Sequence, residues 1–271
     1  MLFVCPKCKC ALTIHPDGRA VCENRHSFDR SREGYYNLLL TSTGGTHGDN
    51  REMVLARRDF LDTGAYLPLA DKIFELARPY ISSGCSVLDS GCGEGYYTNY
   101  IEEKISRLFA DVSVSGFDIS KDAVRYAAKK NPRLSLAVAG AYHIPVADGS
   151  VDLLFSIFAP LAQSEFLRVI RSGGHFIMAI PGEEHLYSLK RQLYDTPYKN
   201  TVEDTALEGF SLVKLERISF TLDLDSPQKI ASLFMMTPYA YRTPKQAKER
   251  ILSLDRLKTE AQFIILVYEK N

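Results

Sequence analysis

Residues 85–95 read CSVLDSGCGEG, and this stretch decides the fold class of the chain. Its apolar half predicts a buried strand that ends at the acidic residue Asp89. A turn with glycines at Gly91, Gly93 and Gly95 follows and leads into a predicted helix. Glycines in such a turn allow a tight bend and a close approach of the backbone to a ligand, outside the carboxyl end of the first strand of an open α/β sheet.

The spacing of these glycines distinguishes between two kinds of nucleotide site. The dinucleotide fingerprint G-x-G-x-x-G needs a glycine at the position that Tyr96 occupies here. That departure argues against a bound pyrophosphate. The stretch instead resembles the D-x-G-x-G-x-G loop of S-adenosylmethionine-dependent methyltransferases.

Strand and helix patterns alternate after the loop. A second strand over 112–117 ends at Asp118, whose carboxylate is placed to accept both ribose hydroxyls of a nucleoside. Alternation of this length predicts parallel βαβ units with right-handed crossovers. The remaining predicted elements are helices over 121–130 and 164–170, strands over 134–138, 152–158 and 175–180, a turn over 171–174, and an antiparallel completion of the sheet by 219–222 and 263–268.

The cysteines cluster at the start of the chain, where four of the six lie within the first 22 residues. Cys5 and Cys8 form a C-x2-C pair, and Cys22 and His26 form a C-x3-H pair. Two short-spaced pairs joined by a hairpin can supply the four N and S ligands of a tetrahedral zinc ion. Because so small a segment cannot bury a core of its own, metal binding would have to fold it.

Two alternatives remain for these cysteines. A disulfide is disfavoured, because the chain begins without an export signal and a reducing compartment opposes disulfides. Cys10 can replace Cys8 as a ligand, although C-x4-C is the poorer knuckle. Cys85 and Cys92, which flank the first strand, are interpreted as small core residues.

The composition is that of an ordinary globular chain of 271 residues, 45% hydrophobic, with 33 basic and 33 acidic side chains. It excludes disordered, collagen-like and membrane-spanning classes, since no apolar run approaches the roughly 18 residues that a spanning helix needs. We therefore expect a cytoplasmic protein with no membrane contact. Residues 1–32 carry six basic and three acidic side chains, which fits either RNA contact or a solvated face.

Further segments match one known family. They are EGYYNLL at 33–39, RRxFLDxGxYxPL at 57–69, FDISK at 117–121, AP at 159–160, PGxxHL at 181–186, EGF at 208–210 and MTP at 236–238. With the cysteine pairs and the glycine loop, they make nearly the whole chain similar to the zinc-finger 23S rRNA (guanine-N1)-methyltransferases, the RlmA family. The combination of finger and loop is far more specific than either part.

This resemblance implies a Rossmann-like class I S-adenosylmethionine-dependent methyltransferase fold with a small N-terminal zinc-binding module. It implies a homodimer that grips a 23S rRNA hairpin with the module and part of the catalytic domain. We expect three segments: a zinc-binding RNA-recognition module over 1–40, a helical linker or lid over 41–84, and a methyltransferase domain over 85–271.

The resemblance also implies site residues. It assigns structural Zn2+ to Cys5, Cys8, Cys22 and His26, and it assigns S-adenosylmethionine contacts to Tyr66, Gly93, Glu94 and His185. With the loop and second-strand residues, the expected cofactor set is Tyr66, Asp89, Gly91, Gly93, Glu94, Gly95, Asp118 and His185. Tyr66 precedes the sheet and is placed to act as a lid, and His185 follows the fifth strand.

The expected activity is methylation of guanine N1 in a hairpin loop of 23S rRNA. The alternatives are a methyltransferase acting on another RNA, a protein or a small molecule, and a non-enzymatic RNA-binding or resistance factor. Guanine N1 carries a proton that must leave. The sequence singles out no base for it among His143, Asp152, Glu183 and Glu184. An aromatic side chain, Phe158 or Tyr97, is expected to border the target base.

Overall fold

The computed structural model describes residues 1–40, 48–202 and 205–271. The first part of the expected linker segment 41–84, residues 41–47, therefore lies outside the described residues. The rest of that segment contains two helices and a 3-10 turn before the first long strand. No helix among the described residues has both the length and the apolar character needed to cross a bilayer.

The strands are β1 Leu12–Ile14, β2 Ala20–Cys22, β3 Ser27–Phe28, β4 Tyr36–Asn37, β5 Ser86–Ser90, β6 Ser113–Asp118, β7 Ser135–Val138, β8 Val151–Ile157, β9 Ile170–Pro181, β10 Phe210–Leu224 and β11 Leu257–Lys270. The helices are α1 Arg51–Leu61, α2 Leu67–Ala77, α3 Tyr96–Ser106, α4 Lys121–Lys130, α5 Gln163–Val169, α6 Tyr187–Leu193, α7 Pro227–Met235, α8 Tyr239–Arg242 and α9 Lys245–Leu252.

The main sheet has eight strands in the order β10-β11-β9-β8-β5-β6-β7-β4. Every pair from β9 to β4 is parallel, and β11 runs antiparallel to both of its neighbours. Strand β5 lies between β6 and β8, so the chain reverses its direction of winding there. The predicted Rossmann-like α/β fold is confirmed, including its antiparallel last strand.

Local sequence explains why these elements form. Strand β5 pairs on both sides, and four of its five residues are buried, with Val87 and Leu88 as its apolar centre. Helix α4 begins where the Ser120 hydroxyl accepts a hydrogen bond from the Ala123 amide. Its buried face consists of small residues, which lets the helix pack close to the glycine loop that follows β5.

The structure corrects one predicted element. The predicted turn over 171–174 lies within β9, whose pairing with β8 jumps from Val151↔Ile170 to Leu153↔His175. The intervening residues form an irregularity in the strand, with Gly173 at φ +67°. Arg171 donates a 2.5 Å hydrogen bond to Asp152 on β8, which holds this irregular stretch against the sheet.

The N-terminal segment packs directly on the main sheet. Strands β1, β2 and β3 form a separate small sheet, whereas β4 pairs with β7 and becomes the edge strand of the large one. The Val4 amide donates to the carbonyl of Pro145, and Phe3 bridges to Val146. Apolar residues of the module share one buried cluster with residues of β5 and β6, among them Leu88 and Phe117. Unfolding of this segment would therefore expose part of the core of the main sheet.

Candidate active site and zinc cluster

The carboxyl ends of β5, β6, β7 and β8 open on one cavity of about 660 Å³. That volume lies in the range of small-molecule sites, and its position beside β5 is the point where the strand order reverses. The residues after each strand line it: Gly91, Cys92, Gly93 and Glu94; Asp118 and Ile119; Ala139 to His143; and Phe158, Ala159 and Pro160.

The glycine loop forms the floor of this cavity. Gly91 has φ +81°, and a Cβ atom there would lie 2.4 Å from the Cβ of Ala159. Gly93 has φ +56°, and a Cβ atom there would meet nothing within 4 Å. Because Gly93 lines the cavity, the open space above it is cavity space, and bare backbone faces it.

Asp118 both orders this loop and faces the cavity. Its Oδ2 atom accepts a hydrogen bond from the Gly93 amide at 3.1 Å, and its Oδ1 atom accepts one from the Ser120 amide at 2.7 Å. A carboxylate has about four acceptor positions, so capacity remains for two hydroxyl donors. Burial raises the pKa of Asp118, and the two amide donors oppose that rise.

Three buried polar atoms without hydrogen-bond partners belong to residues that line the cavity. The hydroxyls of Tyr66 and Tyr97 and the Oε2 atom of Glu94 have no hydrogen-bond partner among the described residues. The nearest cation to that Oε2 atom is the Lys130 ammonium at 3.7 Å. Because buried polar groups are nearly always satisfied, three orphaned atoms lining one cavity indicate a polar ligand group between them.

Five of the eight predicted cofactor residues line the cavity: Tyr66, Gly91, Gly93, Glu94 and Asp118. The other three lie behind its wall. Asp89 accepts a 2.5 Å hydrogen bond from the Thr98 hydroxyl, and Gly95 packs against Ala127 at the start of α3. The ring of His185 lies 6.3 Å from that of Tyr66, and burial lowers its pKa to about 4, so that it is neutral. Their roles as cofactor contacts stay predictions.

The buried Asp89 predicts a pH-dependent stability. Burial raises its pKa from 3.8 to about 7, although the Thr98 hydroxyl opposes this. Since the pKa of Asp89 is higher in the folded than in the unfolded protein, the folded protein binds more protons between these two pKa values, and its stability falls as pH rises through them.

The variant Asp89→Asn has no carboxyl group to titrate at this position. In the cofactor-free protein, we expect the stability advantage of this variant to grow from pH 4 to pH 7, by at most about 1.4 kcal/mol per pH unit. Urea unfolding at each pH measures it, and a pH-independent difference would contradict the assignment.

Four side chains of the N-terminal module meet as a metal site. The ligand atoms of Cys5, Cys8, Cys22 and His26 all lie within 4.8 Å of one another. The Sγ atoms of Cys8 and Cys22 are 3.6 Å apart, and His26 Nδ1 is 3.5 Å from the Sγ atoms of Cys5 and Cys22. A zinc tetrahedron with bonds of roughly 2.0–2.3 Å has edges of roughly 3.3–3.8 Å. The four residues therefore fit zinc, and the predicted ligand set is brought together.

The alternatives for the cysteines are resolved by the same geometry. All six cysteines are free thiols. Cys10 lies outside the cluster, where its sulfur accepts a hydrogen bond from the Asn24 side chain at 3.4 Å. Lys9 at φ +63° and Arg25 at φ +62° turn the backbone just after Cys8 and just before His26. Cys85 and Cys92 are buried, as their interpretation as core residues requires.

The zinc knuckle is also a wall of the cavity. Pro6 and Lys9, which flank the ligand Cys8, line the same cavity as the glycine loop. Helix α1 and the end of α7 contribute Met53, Arg57 and Met236 from the other side. These residues did not emerge as site residues from the sequence, because nothing local to a knuckle or to an amphipathic helix indicates which distant loop it will cover.

The four conceivable bases occupy different places. His143 lines the cavity, close to the ends of β7 and β8. Asp152 lies near the amino end of β8, where its carboxylate accepts hydrogen bonds from Ser86 and Arg171. Glu184 is exposed and pairs with Lys199 at 2.6 Å. Glu183 is exposed as well. Of these four residues, His143 alone lines the cavity.

Comparisons with known proteins cover both parts of the chain. A family model described as "RlmA, N-terminal" matches residues 3–41, and one described as "Methyltransferase domain" matches residues 81–232. The 23S rRNA (guanine(748)-N(1))-methyltransferase of Streptomyces fradiae is 33% identical over 258 residues, covering 92% of this chain and 90% of the relative. A Bacillus subtilis (strain 168) protein, provisionally named a 23S rRNA (guanine-N(1)-)-methyltransferase, is 32% identical over 268 residues, 95% of this chain and 92% of the relative.

Proposed function

This chain belongs to the family of zinc-ribbon 23S rRNA (guanine-N1)-methyltransferases, and from that premise we propose that it methylates N1 of a guanine in a hairpin loop of 23S rRNA. The observation that carries the proposal is the shared cavity: the glycine loop forms its floor, and Pro6 and Lys9 of the zinc knuckle form part of its wall. A cofactor bound against the glycine loop would therefore face an RNA bound by the zinc module.

S-adenosylmethionine, when bound, supplies a methyl group on a positively charged sulfur, ready for in-line displacement. The work left to the protein is alignment and exclusion of water. Asp118 would hold the ribose, the backbone at Gly91 and Gly93 would allow close approach, and Glu94 would accept from the amino group. Tyr66, 2% exposed at the start of α2, covers this end of the cavity.

The target guanine must leave its stack, because N1 lies on the Watson–Crick edge. Phe158, at the end of β8, would receive it. It is 42% exposed and lines the cavity, and its φ of +56° is unusual for an aromatic residue. Such strain costs on the order of 1–3 kcal/mol and is typical of functional sites. The Tyr97 ring, 6.2 Å away, borders the same position.

Phe158→Ala is expected to lower turnover at saturating RNA by about tenfold or more, since stacking of a base on an aromatic ring contributes roughly 1–3 kcal/mol. Leu161→Ala is the matched control: it truncates an exposed apolar residue of the same loop that does not line the cavity, and it should leave turnover unchanged. Turnover of Phe158→Ala equal to wild type would remove the ring from the site.

A direct experiment tests the activity. The zinc-loaded protein is incubated with S-adenosylmethionine and unmodified 23S rRNA, and methylation of guanine N1 is read as a stop of reverse transcription. The proposal expects a new stop in a hairpin loop. Labelling of a protein or small molecule without a stop would favour a methyltransferase of another substrate class. RNA binding without any transfer would favour a non-enzymatic factor.

The proposal also covers the domain organisation, the oligomeric state and the cellular location of the protein. The chain would consist of an RNA-recognition module over 1–40, a helical linker or lid over 41–84 and a methyltransferase domain over 85–271. It would act as a homodimer, which sedimentation of the zinc-loaded protein tests. Its location would be the cytoplasm, where 23S rRNA is assembled into ribosomes.

A further inference from the structure

More acidic than basic side chains line the cavity, although the cofactor carries a carboxylate as well as positive charges. Asp49, Glu94 and Asp118 supply three carboxylates, and the Lys and Arg residues that line the cavity among the described residues are Lys9 and Arg57. Lys9 is exposed on the zinc knuckle, whereas the Arg57 side chain is 31% exposed and projects from α1. S-adenosylmethionine carries a carboxylate of its own. Once removed from water, that carboxylate needs charged or strong donors.

Arg57 is held in place but retains unused donors. Its Nη1 atom pairs with the Asp49 carboxylate, and its Nη2 atom donates to the Met236 carbonyl at 3.3 Å. The second contact joins α1 to the end of α7, and both of its residues line the cavity. A guanidinium has five N–H donors in a planar fork, so further donors remain for a bidentate partner.

The three buried atoms without hydrogen-bond partners belong to residues that line the cavity together with Arg57. Arg57, Glu94 and Tyr97 line the same cavity. Burial raises the pKa of Glu94 and keeps that of Tyr97 well above its ordinary value, and the Arg57 charge opposes both shifts. The neutral hydroxyls of Tyr66 and Tyr97 are donors, and the Oε2 atom of Glu94 is an acceptor. Three donor groups, one guanidinium and two hydroxyls, together with one carboxylate acceptor complement the carboxylate and the ammonium group of an α-amino acid.

We propose that Arg57 binds the α-carboxylate of the cofactor's methionyl group, assisted by the hydroxyls of Tyr66 and Tyr97, while Glu94 accepts from the ammonium group. The inference rests on the proposed function and assigns a subsite within its cavity. Arg57 then has two roles, since it shares its fork between Asp49 and the ligand and holds α7 against α1.

The test uses two probes that differ in one group. Calorimetry measures the Kd of S-adenosylmethionine and of decarboxylated S-adenosylmethionine, which keeps the sulfonium and the ammonium but lacks the carboxylate. Wild type should prefer the first by about ten- to a hundredfold, the usual effect of a hydrogen bond to a charged group. Arg57→Gln should lose most of that preference, because it weakens the first probe and leaves the second within about twofold.

Arg58→Gln is the matched control. Arg58 is the next residue on α1, but it pairs with Asp59 at 2.7 Å on the surface, so its loss should preserve the preference. Arg57→Lys keeps the positive charge but lacks the planar guanidinium, so it should retain part of the preference for S-adenosylmethionine over the decarboxylated probe.

The outcomes separate the two claims. If Arg57→Gln weakens both probes equally, or if it keeps the wild-type preference, Arg57 is not the carboxylate site. If wild type binds neither probe, the proposed function itself fails. Thermal unfolding of each variant shows whether a loss of affinity for both probes comes from misfolding. If Arg57→Gln is misfolded, the assignment is decided by the ratio of the two Kd values in Arg57→Lys.

Discussion

Cys22→Ser is expected to reduce rRNA methylation by at least about a hundredfold while leaving most of the affinity for S-adenosylmethionine intact. Zinc binding contributes on the order of 10 kcal/mol to the folding of such modules, and losing even about 3 kcal/mol of it corresponds to a hundredfold change in population. Unfolding of the module removes Pro6 and Lys9 from the cavity wall. The glycine loop and Asp118 belong to other elements, so cofactor affinity should fall less than methylation, although Leu88 and Phe117 in the strands before them lose part of their cover.

The matched control is Cys10→Ser, which changes a thiol in the same knuckle outside the ligand cluster. It should retain both zinc and activity. The measurements are metal content by mass spectrometry, methyl transfer to 23S rRNA, and cofactor affinity by calorimetry. Metal-free protein that methylates rRNA at the wild-type rate would contradict a role for the module in substrate presentation. Loss of zinc in Cys10→Ser would contradict the ligand assignment.

Gly93→Ala is expected to weaken S-adenosylmethionine binding by about a hundredfold, with a loss of folding stability no larger than backbone strain causes. A Cβ atom at Gly93 meets no protein atom within 4 Å, so the folded protein accommodates it at the cost of a left-handed backbone, about 1–2 kcal/mol. The added methyl group then occupies the space that the cofactor needs. A steric overlap with a ligand cannot be relieved there, because the backbone of the loop is fixed by Asp118.

Gly84→Ala provides the control for strain alone. Gly84 has φ +75°, and a Cβ atom there also meets nothing within 4 Å, but this residue lies before β5 and does not line the cavity. Both variants should lose similar free energies of unfolding in urea, and only Gly93→Ala should lose cofactor affinity. Equal affinities in the two variants would place the cofactor elsewhere.

Much of the fold and of both sites could be predicted from sequence because the signals are local. The observed bounds of α4, Lys121–Lys130, coincide with the predicted range 121–130, since a serine cap precedes a buried face of small residues. The four ligands of the zinc cluster were predicted from spacing, because a knuckle and a hairpin are closed by short chains. The strand, acidic residue and glycine turn over 85–95 are likewise contiguous.

The features that escaped prediction depend on contacts between distant segments. Strand β4 has two residues, Tyr36–Asn37, which carry too little pattern to indicate that they extend the main sheet. Arg57 precedes the glycine loop by 34 residues in the sequence, and only packing of α1 against α7 brings it to the cavity. The turn predicted over 171–174 is an irregularity inside β9, because strand pairing continues on both sides of it.

In the proposed function, the protein methylates N1 of a guanine in 23S rRNA with a cofactor bound in a cavity that residues of the zinc knuckle partly line. Its most direct test is the product nucleoside. Zinc-loaded protein is incubated with unmodified 23S rRNA and S-adenosylmethionine carrying an isotope-labelled methyl group, and the RNA is then hydrolysed and analysed by mass spectrometry. The account predicts labelled 1-methylguanosine. Label in any other nucleoside, or none from protein that calorimetry shows to bind the cofactor, would contradict it.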